Sequence, residues 1–446
     1  EEDRTHAALL AAIDELGLED RRGDILVFLP GEREIREAHR AIERRKYPHT
    51  EVLALYARLS GNEQDRVFQP GALRRIVLAT NVAETSITVP RIRFVIDTGT
   101  ARVSRYSPRT QVQRLHIEPI SQASADQRAG RCGRTSAGVC IRLYDEEEFA
   151  RRPRYTDPEI LRSSLAGVVL RMLDLKLGDP LRFPYLDAPD ERAIREGYAL
   201  LGELGAIDGE RKLTPLGRQL AQLPVDVRHG RMLLAAGAQG CLREVLAIVS
   251  ALAIQDARAR PADRRDAADA AHALLMKDPN SDFLGWVKLW EAVQFQHAEL
   301  SNNGFRDWAK QQFLSPLRLR EWRELHRQLL LMTRDTLGLP VNEEAATSEA
   351  VHRALLTGLL GHIGVKDDKH QYHGARGRRF VAFPGSYLAK APPKWVMAAA
   401  LLDTQRLYGL TLAKIDPAWV EAVAPPSLLH ARHYDPLWDP RSGRVY

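Results

Sequence analysis

Cysteine is scarce in this sequence: Cys132, Cys140 and Cys241 are the only three among 446 residues, and no two of them form a Cys-x-x-Cys pair. A disulfide framework and a four-cysteine zinc site are thereby excluded, and a reducing cytosol is the compartment that fits. Long apolar runs are missing as well. The longest, residues 245–254, is half of the roughly 20 residues that a membrane-spanning helix needs. No Gly-x-x-x-x-Gly-Lys-Ser/Thr phosphate loop occurs, and no Asp-Glu-x-His run to hold magnesium and orient water. A nucleophile-elbow serine is lacking too. His370 with His373 and His430 with His433 have ligand-like spacing but no companion set of cysteines or carboxylates, so they read as surface histidines. The chain opens Glu-Glu-Asp, without an initiating Met or a signal sequence, and is expected to be a piece of something longer.

What is present is an ordinary globular composition, 44% hydrophobic and 27% charged, at a length that predicts about three domains. The net charge of +6 and the pI near 9.2 give a mild bias toward polyanions. Placement says more than the total. Residues 98–117 contain no acid but carry Arg102, Arg105, Arg109 and Arg114. Residues 369–402 again contain no acid, while Lys369, Arg376, Arg378, Arg379, Lys390 and Lys394 alternate with Tyr372, Phe380, Phe383, Tyr387 and Trp395. Such a zone either stacks and neutralises a single strand or fills a small barrel with its aromatics.

Hydrophobic patterning divides the chain into four. In residues 1–150, short apolar and β-branched runs at 25–29, 52–55, 75–80, 93–97 and 139–144 alternate with helical patterns, including a charged helix over 31–46. That predicts a parallel sheet with helices on both faces, and ligands at the carboxyl ends of its strands. Residues 151–225 suggest a winged helix, with amphipathic helices at 159–175 and 191–204 and a hairpin at 205–217. Residues 226–340 are helical by period, as at 241–255, 282–300 and 316–333, and suit a bundle. Strand-like patches return at 359–365, 379–383, 395–401 and 408–415, which predicts a small barrel over 341–446.

The segment with the most specific chemistry is Gln127-Arg-Ala-Gly-Arg-Cys-Gly-Arg134. Arg128, Arg131 and Arg134 are spaced three apart, so a helix through them presents one basic face, which small neighbours keep open. Guanidinium is permanently charged and forks two oxygens, so the array suits a polyphosphate. Upstream, residues 75–98 read as a buried strand ending at Thr80-Asn81, a polar loop and a second strand ending at Asp97. Two further runs precede them, 25–35 (ILVFLPGEREI) and 55–68 (LYARLSGNEQDRVF).

In this order, the four segments resemble motifs IV, IVa, V and VI of the second RecA-like lobe of DEAH-box helicases. Residues 156–165 are similar to that family's winged-helix entry, and residues 394–396 and 415–420 to its C-terminal OB-like barrel. The Phe383-Pro-Gly-Ser phrase looks most like the bacterial HrpA-type RNA helicases. The resemblance implies that Arg131 and Arg134 are arginine fingers on the γ-phosphate, that Gln127 positions nucleotide and water, that Phe68 stacks on the base and that Thr88 approaches the ribose. It also implies that Gly31, Thr80 and Asn81 hold the nucleic-acid backbone, and that 102–117 is a β-hairpin directed at the point of strand separation. Pro90 stands where the family often has a ribose-binding acid, and Cys132 replaces a common alanine.

The expectation is therefore the C-terminal portion of an ATP-dependent RNA helicase that moves 3′-to-5′ along single-stranded RNA and remodels structured RNA. ATP is the implied cofactor, with Mg2+ held by a first RecA-like lobe in cis, and no membrane is involved. Without that lobe the chain is expected to be inactive. The competing reading is a non-catalytic nucleic-acid-binding adaptor that never had the first lobe, and a preference for DNA stays open.

Overall fold

The computed structural model describes residues 2–59, 61–85, 87–110, 112–134 and 137–425, with 428, 438–440 and 444–445; His430 and His433 lie outside the described residues. The N-terminal part holds seven strands: β1 (Asp24–Phe28), β2 (Thr50–Leu55), β3 (Arg74–Ala79), β4 (Ile92–Asp97), β5 (Thr100–Ser107), β6 (Val112–Pro119) and β7 (Val139–Arg142). Five of them make the expected parallel sheet, in the order β2-β3-β1-β4-β7. Central β1 is buried along its length, and its alternate residues serve two cores. Ile25 and Val27 face helices α1 (Glu2–Glu19) and α2 (Glu32–Arg45), through Leu9, Ile13, Ile35 and Ile42. Leu26 and Phe28 face the opposite side, with Val67 of α3 (Gly61–Phe68), Ala83 and Cys132. Two further helices, α4 (Gln122–Ala129) and α5 (Glu146–Arg151), flank the hairpin root and the last strand. Both faces are thus covered, as a nearly all-apolar central strand requires.

The α4 boundary corrects the sequence reading. The helix stops at Ala129, so Arg131 and Arg134 leave it in turns and do not share a helical face with Arg128. The buried residues Ser121, Ser124, Ala125 and Arg128 form the true inward stripe, spaced i, i+3, i+4, i+7.

The winged-helix part comprises α6 (Ala166–Asp174), α7 (Glu191–Glu203) and α8 (Pro215–Ala221), with an isolated bridge between Ile207 and Leu213 in place of a full hairpin. The helix expected over 159–175 shortens to α6: Glu159–Leu161 form only a 3-10 turn, after which the Arg162 carbonyl accepts a bond from the Tyr106 amide of β5 at 2.7 Å. Next come α9 (Val227–Gln239), α10 (Leu242–Leu252), α11 (Arg265–Met276), α12 (Asp282–Glu299), α13 (Asn302–Gln311), α14 (Pro316–Leu331) and α15 (Ser348–Leu359). Serines 281, 301 and 315 cap α12, α13 and α14 by accepting backbone N–H bonds. The strand patch expected at 359–365 begins only at Ile363: residues 348–359 are helical, and Val351, Leu355 and Leu359 pack inward beside α9.

The barrel consists of β8 (Ile363–Lys366), β9 (Tyr372–Gly374), β10 (Arg379–Ala382), β11 (Trp395–Asp403) and β12 (Leu407–Lys414), closed by pairing of β11 with both β8 and β12. Helix α16 (Pro417–Val423) follows it. Winged helix, bundle and part of the barrel share one continuous core from Leu165 to Ile415. The β5–β6 hairpin leaves the N-terminal lobe and adds itself to β11, Gln113 opposite Leu402 and Arg114 opposite Asp403. Among the described residues no helix is long and apolar enough to cross a membrane.

Trp322 is the largest fully buried side chain. Its indole N–H reaches the Ala247 carbonyl at 3.1 Å and Ser250 Oγ at 3.0 Å, and its ring meets Trp286 edge-on. Trp322→Phe removes that donor and part of the ring, and is expected to cost about 1–3 kcal/mol. Urea unfolding checks it; an unmoved midpoint would show that the donor contributes nothing.

Candidate nucleotide and nucleic-acid site

The residues singled out from the sequence gather at the carboxyl ends of the parallel strands. β1 leads to Gly31, an extended residue (φ −165°) that precedes α2. A Cβ there would lie 2.7 Å from Glu34 Oε2 and 3.0 Å from Arg102 Nη2, so the glycine makes room for the hairpin arginine to lean on α2. β3 leads to Thr80 and Asn81, where the chain turns through a short 3-10 segment; the Thr80 amide donates to the Leu55 carbonyl at 3.2 Å, and Asn81 is exposed. Thr88, farther along the same loop, is exposed and accepts a hydrogen bond from Arg134 Nη1. Phe68 ends α3 with its ring 39% exposed, available for stacking.

The three arginines have three different environments. Arg128 is fully buried. Its Nη1 meets Asp97 Oδ1 at 2.7 Å, its Nε meets Glu84 Oε2 at 3.0 Å, its Nη2 donates to the Thr100 carbonyl at 3.2 Å, and its plane lies 4.8 Å from the Phe28 ring centre. A guanidinium buried and tied through all three of its nitrogens exposes no donor to a nucleotide, so the expectation of a polyphosphate contact at Arg128 gives way to an internal tie. Arg131 is half-buried. Its Nε donates to the Gln127 carbonyl at 3.3 Å, but Nη1 is buried with no hydrogen-bond partner among the described residues. Burial, and then the nearby positive charge of Arg134, pull its pKa below the usual range against the opposing pull of Glu84. Arg134 and the Gln127 side chain are exposed. A half-buried cation with an idle donor can accept an anion without breaking an existing bond. Cys132 tucks beneath, its thiol donating to the Ala129 carbonyl at 3.1 Å, and burial raises its pKa, which suits an inert packing group.

The basic zones are less open than the sequence suggests. Arg105 is held by Glu118 at 2.8 Å and Asp157 at 3.0 Å, which raise its pKa, so its charge is already matched. Arg109, at the hairpin turn, is exposed with no ion pair among the described residues. On the barrel side, Arg376 bridges to Glu196 at 2.9 Å and Glu203 at 3.3 Å, both on α7. Arg378 is buried and donates to three carbonyls: Ala375 at 2.9 Å, Thr110 at 2.8 Å and Gly361. Arg379 is exposed on β10 and has no ion pair among the described residues. Of the five arginines expected on nucleic acid, Arg109 and Arg379 are therefore placed to offer free charge, and the others are spent on internal contacts. Tyr372 and Phe380 are buried and stacked in the barrel, at 5.3 Å between ring centres.

Sequence reasoning missed Glu84, Asp97, Ser124 and Tyr144. Tyr144 donates to Asp97 Oδ2 at 2.8 Å, and Ser124 Oγ donates to Glu84 Oε1. The buried stripe of α4 was the available signal: an arginine on it must meet acids, and the strand-ending Asp97 and the loop's Glu84 are the acids at hand.

Comparison with known proteins agrees with this architecture. Residues 7–136 match the helicase conserved C-terminal domain, 199–225 and 226–314 the winged-helix and ratchet-like parts of the helicase associated domain (HA2), and 351–427 the oligonucleotide/oligosaccharide-binding (OB) fold. Over 98% of its length the chain is 55% identical to the ATP-dependent RNA helicase HrpA of Escherichia coli and 53% identical to the HrpA homolog of Haemophilus influenzae, covering 34% of each. It is 31% identical over 95% of its length to the ATP-dependent RNA helicase DHX33 of Mus musculus, of which it covers 62%. The crystal structure of the E. coli DExH-box NTPase HrpB superposes with a TM-score of 0.71 at 26% identity, over 99% of this chain and 48% of that one. The chain spans about a third of the length of the two HrpA relatives.

The contrast between Arg378 and Arg379 is testable by denaturation. Arg378→Ala strands carbonyls of three segments and is expected to cost about 2–4 kcal/mol, while Arg379→Ala stays within about 0.5 kcal/mol. Equal effects would contradict the difference in burial.

Proposed function

Because the chain belongs to the HrpA-type branch of the DEAH-box helicases, we propose that it supplies the second RecA-like lobe and the accessory domains of an ATP-dependent RNA helicase that translocates 3′-to-5′ on single-stranded RNA. The observation that carries this reading is the idle, buried Nη1 of Arg131. In water such a group would be solvated; here it is held ready for an anion that the described residues do not provide.

ATP would occupy the cleft between this lobe and a phosphate-loop lobe, with Mg2+ bound by the latter. When bound, the nucleotide supplies the phosphoanhydride whose cleavage drives the cycle. This chain's residues do the rest: Arg131 and Arg134 neutralise the γ-phosphate oxygens, Gln127 orients the attacking water, Phe68 stacks on the base and Thr88 meets the ribose. Thr80, Asn81 and the backbone at Gly31 hold RNA phosphates and sugars at the strand ends, while Arg109 and Arg379 add charge at the hairpin turn and the barrel. Closure of the cleft on the fingers would move the 80–81 contacts relative to those of the other lobe.

ATP turnover should require both lobes. In a two-lobe protein carrying this chain, Arg131→Ala is expected to lower RNA-stimulated kcat by about 10³-fold or more. Parent-like turnover by that variant, or RNA-stimulated turnover by the present chain alone, would overturn the half-site reading, and a protein that binds RNA but never hydrolyses with both lobes present would point to the adaptor.

RNA binding separates the arginines in a second way. Arg109→Ala and Arg379→Ala are each expected to reduce the salt slope of single-strand binding by about 0.7, while Arg376→Ala leaves it unchanged. Binding titrations on matched RNA and DNA strands across a salt series read this out together with the sugar preference.

A further inference from the structure

We infer that Arg128 is a positioning residue whose task is to keep the Glu84 carboxylate away from Arg131, so that the Arg131 guanidinium stays open to an incoming phosphate. The inference rests on the proposed function and deepens it.

Glu84 and Thr88 lie on one loop, and that loop bonds two of the three arginines. Thr88 takes a bond from Arg134. Glu84 is taken by Arg128, Nε to Oε2 at 3.0 Å, and by Ser124 at Oε1. Between them, Arg131 has an idle Nη1, and its backbone amide donates to the Arg128 carbonyl at 3.0 Å, so the two guanidiniums spring from adjoining turns. Glu84 is only 14% exposed. A carboxylate in that setting must pair with a cation, and Arg128 is the cation that holds it. Its negative charge is felt at Arg131, where it opposes the lowering effect of burial.

Arg128 wins because it is the better-held partner. Asp97 fixes Nη1, the Thr100 carbonyl fixes Nη2 and the Phe28 ring backs the plane, so Nε has one direction in which to point. A planar fork held at three points gives up little entropy in making its last bond. Released from it, Glu84 would be an anion tethered beside Arg131, at an effective concentration on the order of millimolar, and would compete directly with ATP. Arg128 would then affect turnover without touching nucleotide.

The test is a suppressor experiment in the two-lobe protein. Arg128→Lys keeps the charge but loses the rigid fork; it is expected to raise KM for ATP and lower kcat/KM by about tenfold. Adding Glu84→Gln removes the competing charge and is expected to restore most of that loss, although Glu84→Gln alone stays within about threefold of the parent. Ser124→Ala, which frees the other oxygen without altering any charge, is expected to lower kcat/KM severalfold and to be rescued by Glu84→Gln in the same way, which covers the case in which Arg128→Lys does not fold. Parent-like kinetics in Arg128→Lys, or a loss that Glu84→Gln leaves unchanged or deepens, would overturn the inference and reduce Arg128 to a scaffold. Arg131→Ala in parallel separates the two failures: if it too is parent-like, the finger assignment falls; if it is inactive while Arg128→Lys is normal, only the role given to Arg128 falls.

Discussion

A guanidinium sealed from water dictates the arrangement around it. Arg128 has no exposure, so the lobe must provide counter-charge and acceptors, and it does so from four places: a strand end at Asp97, a loop at Glu84, the hairpin root at Thr100 and the face of Phe28. Each is a segment that leads toward a residue proposed to meet nucleotide or nucleic acid. The loop carries Thr88, the strand end leads into the hairpin, and the turn after the arginine carries Arg131 and Arg134. A polar cluster of this kind adds little to net stability, because desolvation offsets its attraction, but it favours one arrangement over its neighbours. Beside this network, Arg131 keeps one buried donor without a partner among the described residues.

The accessory domains are bound to one another in a different manner. Apolar contact from Leu165 to Ile415 is continuous, so the winged helix, bundle and barrel cannot be treated as beads joined by linkers. Between this block and the N-terminal lobe the connection is largely the β5–β6 hairpin, and there it is polar and specific: strand pairing at Leu402 and Asp403, the ion pair of Arg114 with Asp403 at 3.4 Å, the reach of Arg378 to Thr110 and the grip of Asp157 on Arg105. Three of the arginines that look like a nucleic-acid surface in the sequence, Arg105, Arg114 and Arg378, are instead fasteners of this junction.

Much of the fold was legible beforehand, and particular residues show why. The runs at 25–29 and 94–96 are apolar without alternation because both faces of the sheet are covered, and that pattern has few other readings. The bundle announced itself by period. What failed were places where a distant partner overrides a local pattern. Residues 159–162 would extend a helix by composition, yet they form a short 3-10 turn whose last carbonyl, at Arg162, is taken by β5; residues 359–362 look strand-like, yet they finish a helix packed on α9. The site was legible in its membership but not in its roles. Spacing alone placed Arg128, Arg131 and Arg134 together, but which of them lies inside depends on where α4 ends and on acids 30 to 45 positions away in sequence, Asp97 and Glu84. Similarly, the free charge of Arg379 and the buried charge of Arg378 are separated by one position at the start of β10.

The pairing of β6 with β11 sets a limit on how the polypeptide can be divided. A hairpin that lends its edge to a closed barrel leaves a row of amides and carbonyls bare when the barrel is removed, and an unprotected edge recruits other chains. Trimming the protein back to its parallel-sheet lobe would thus yield a sticky species rather than a smaller working unit. The lobe and the barrel, far apart in sequence, are joined by this pairing.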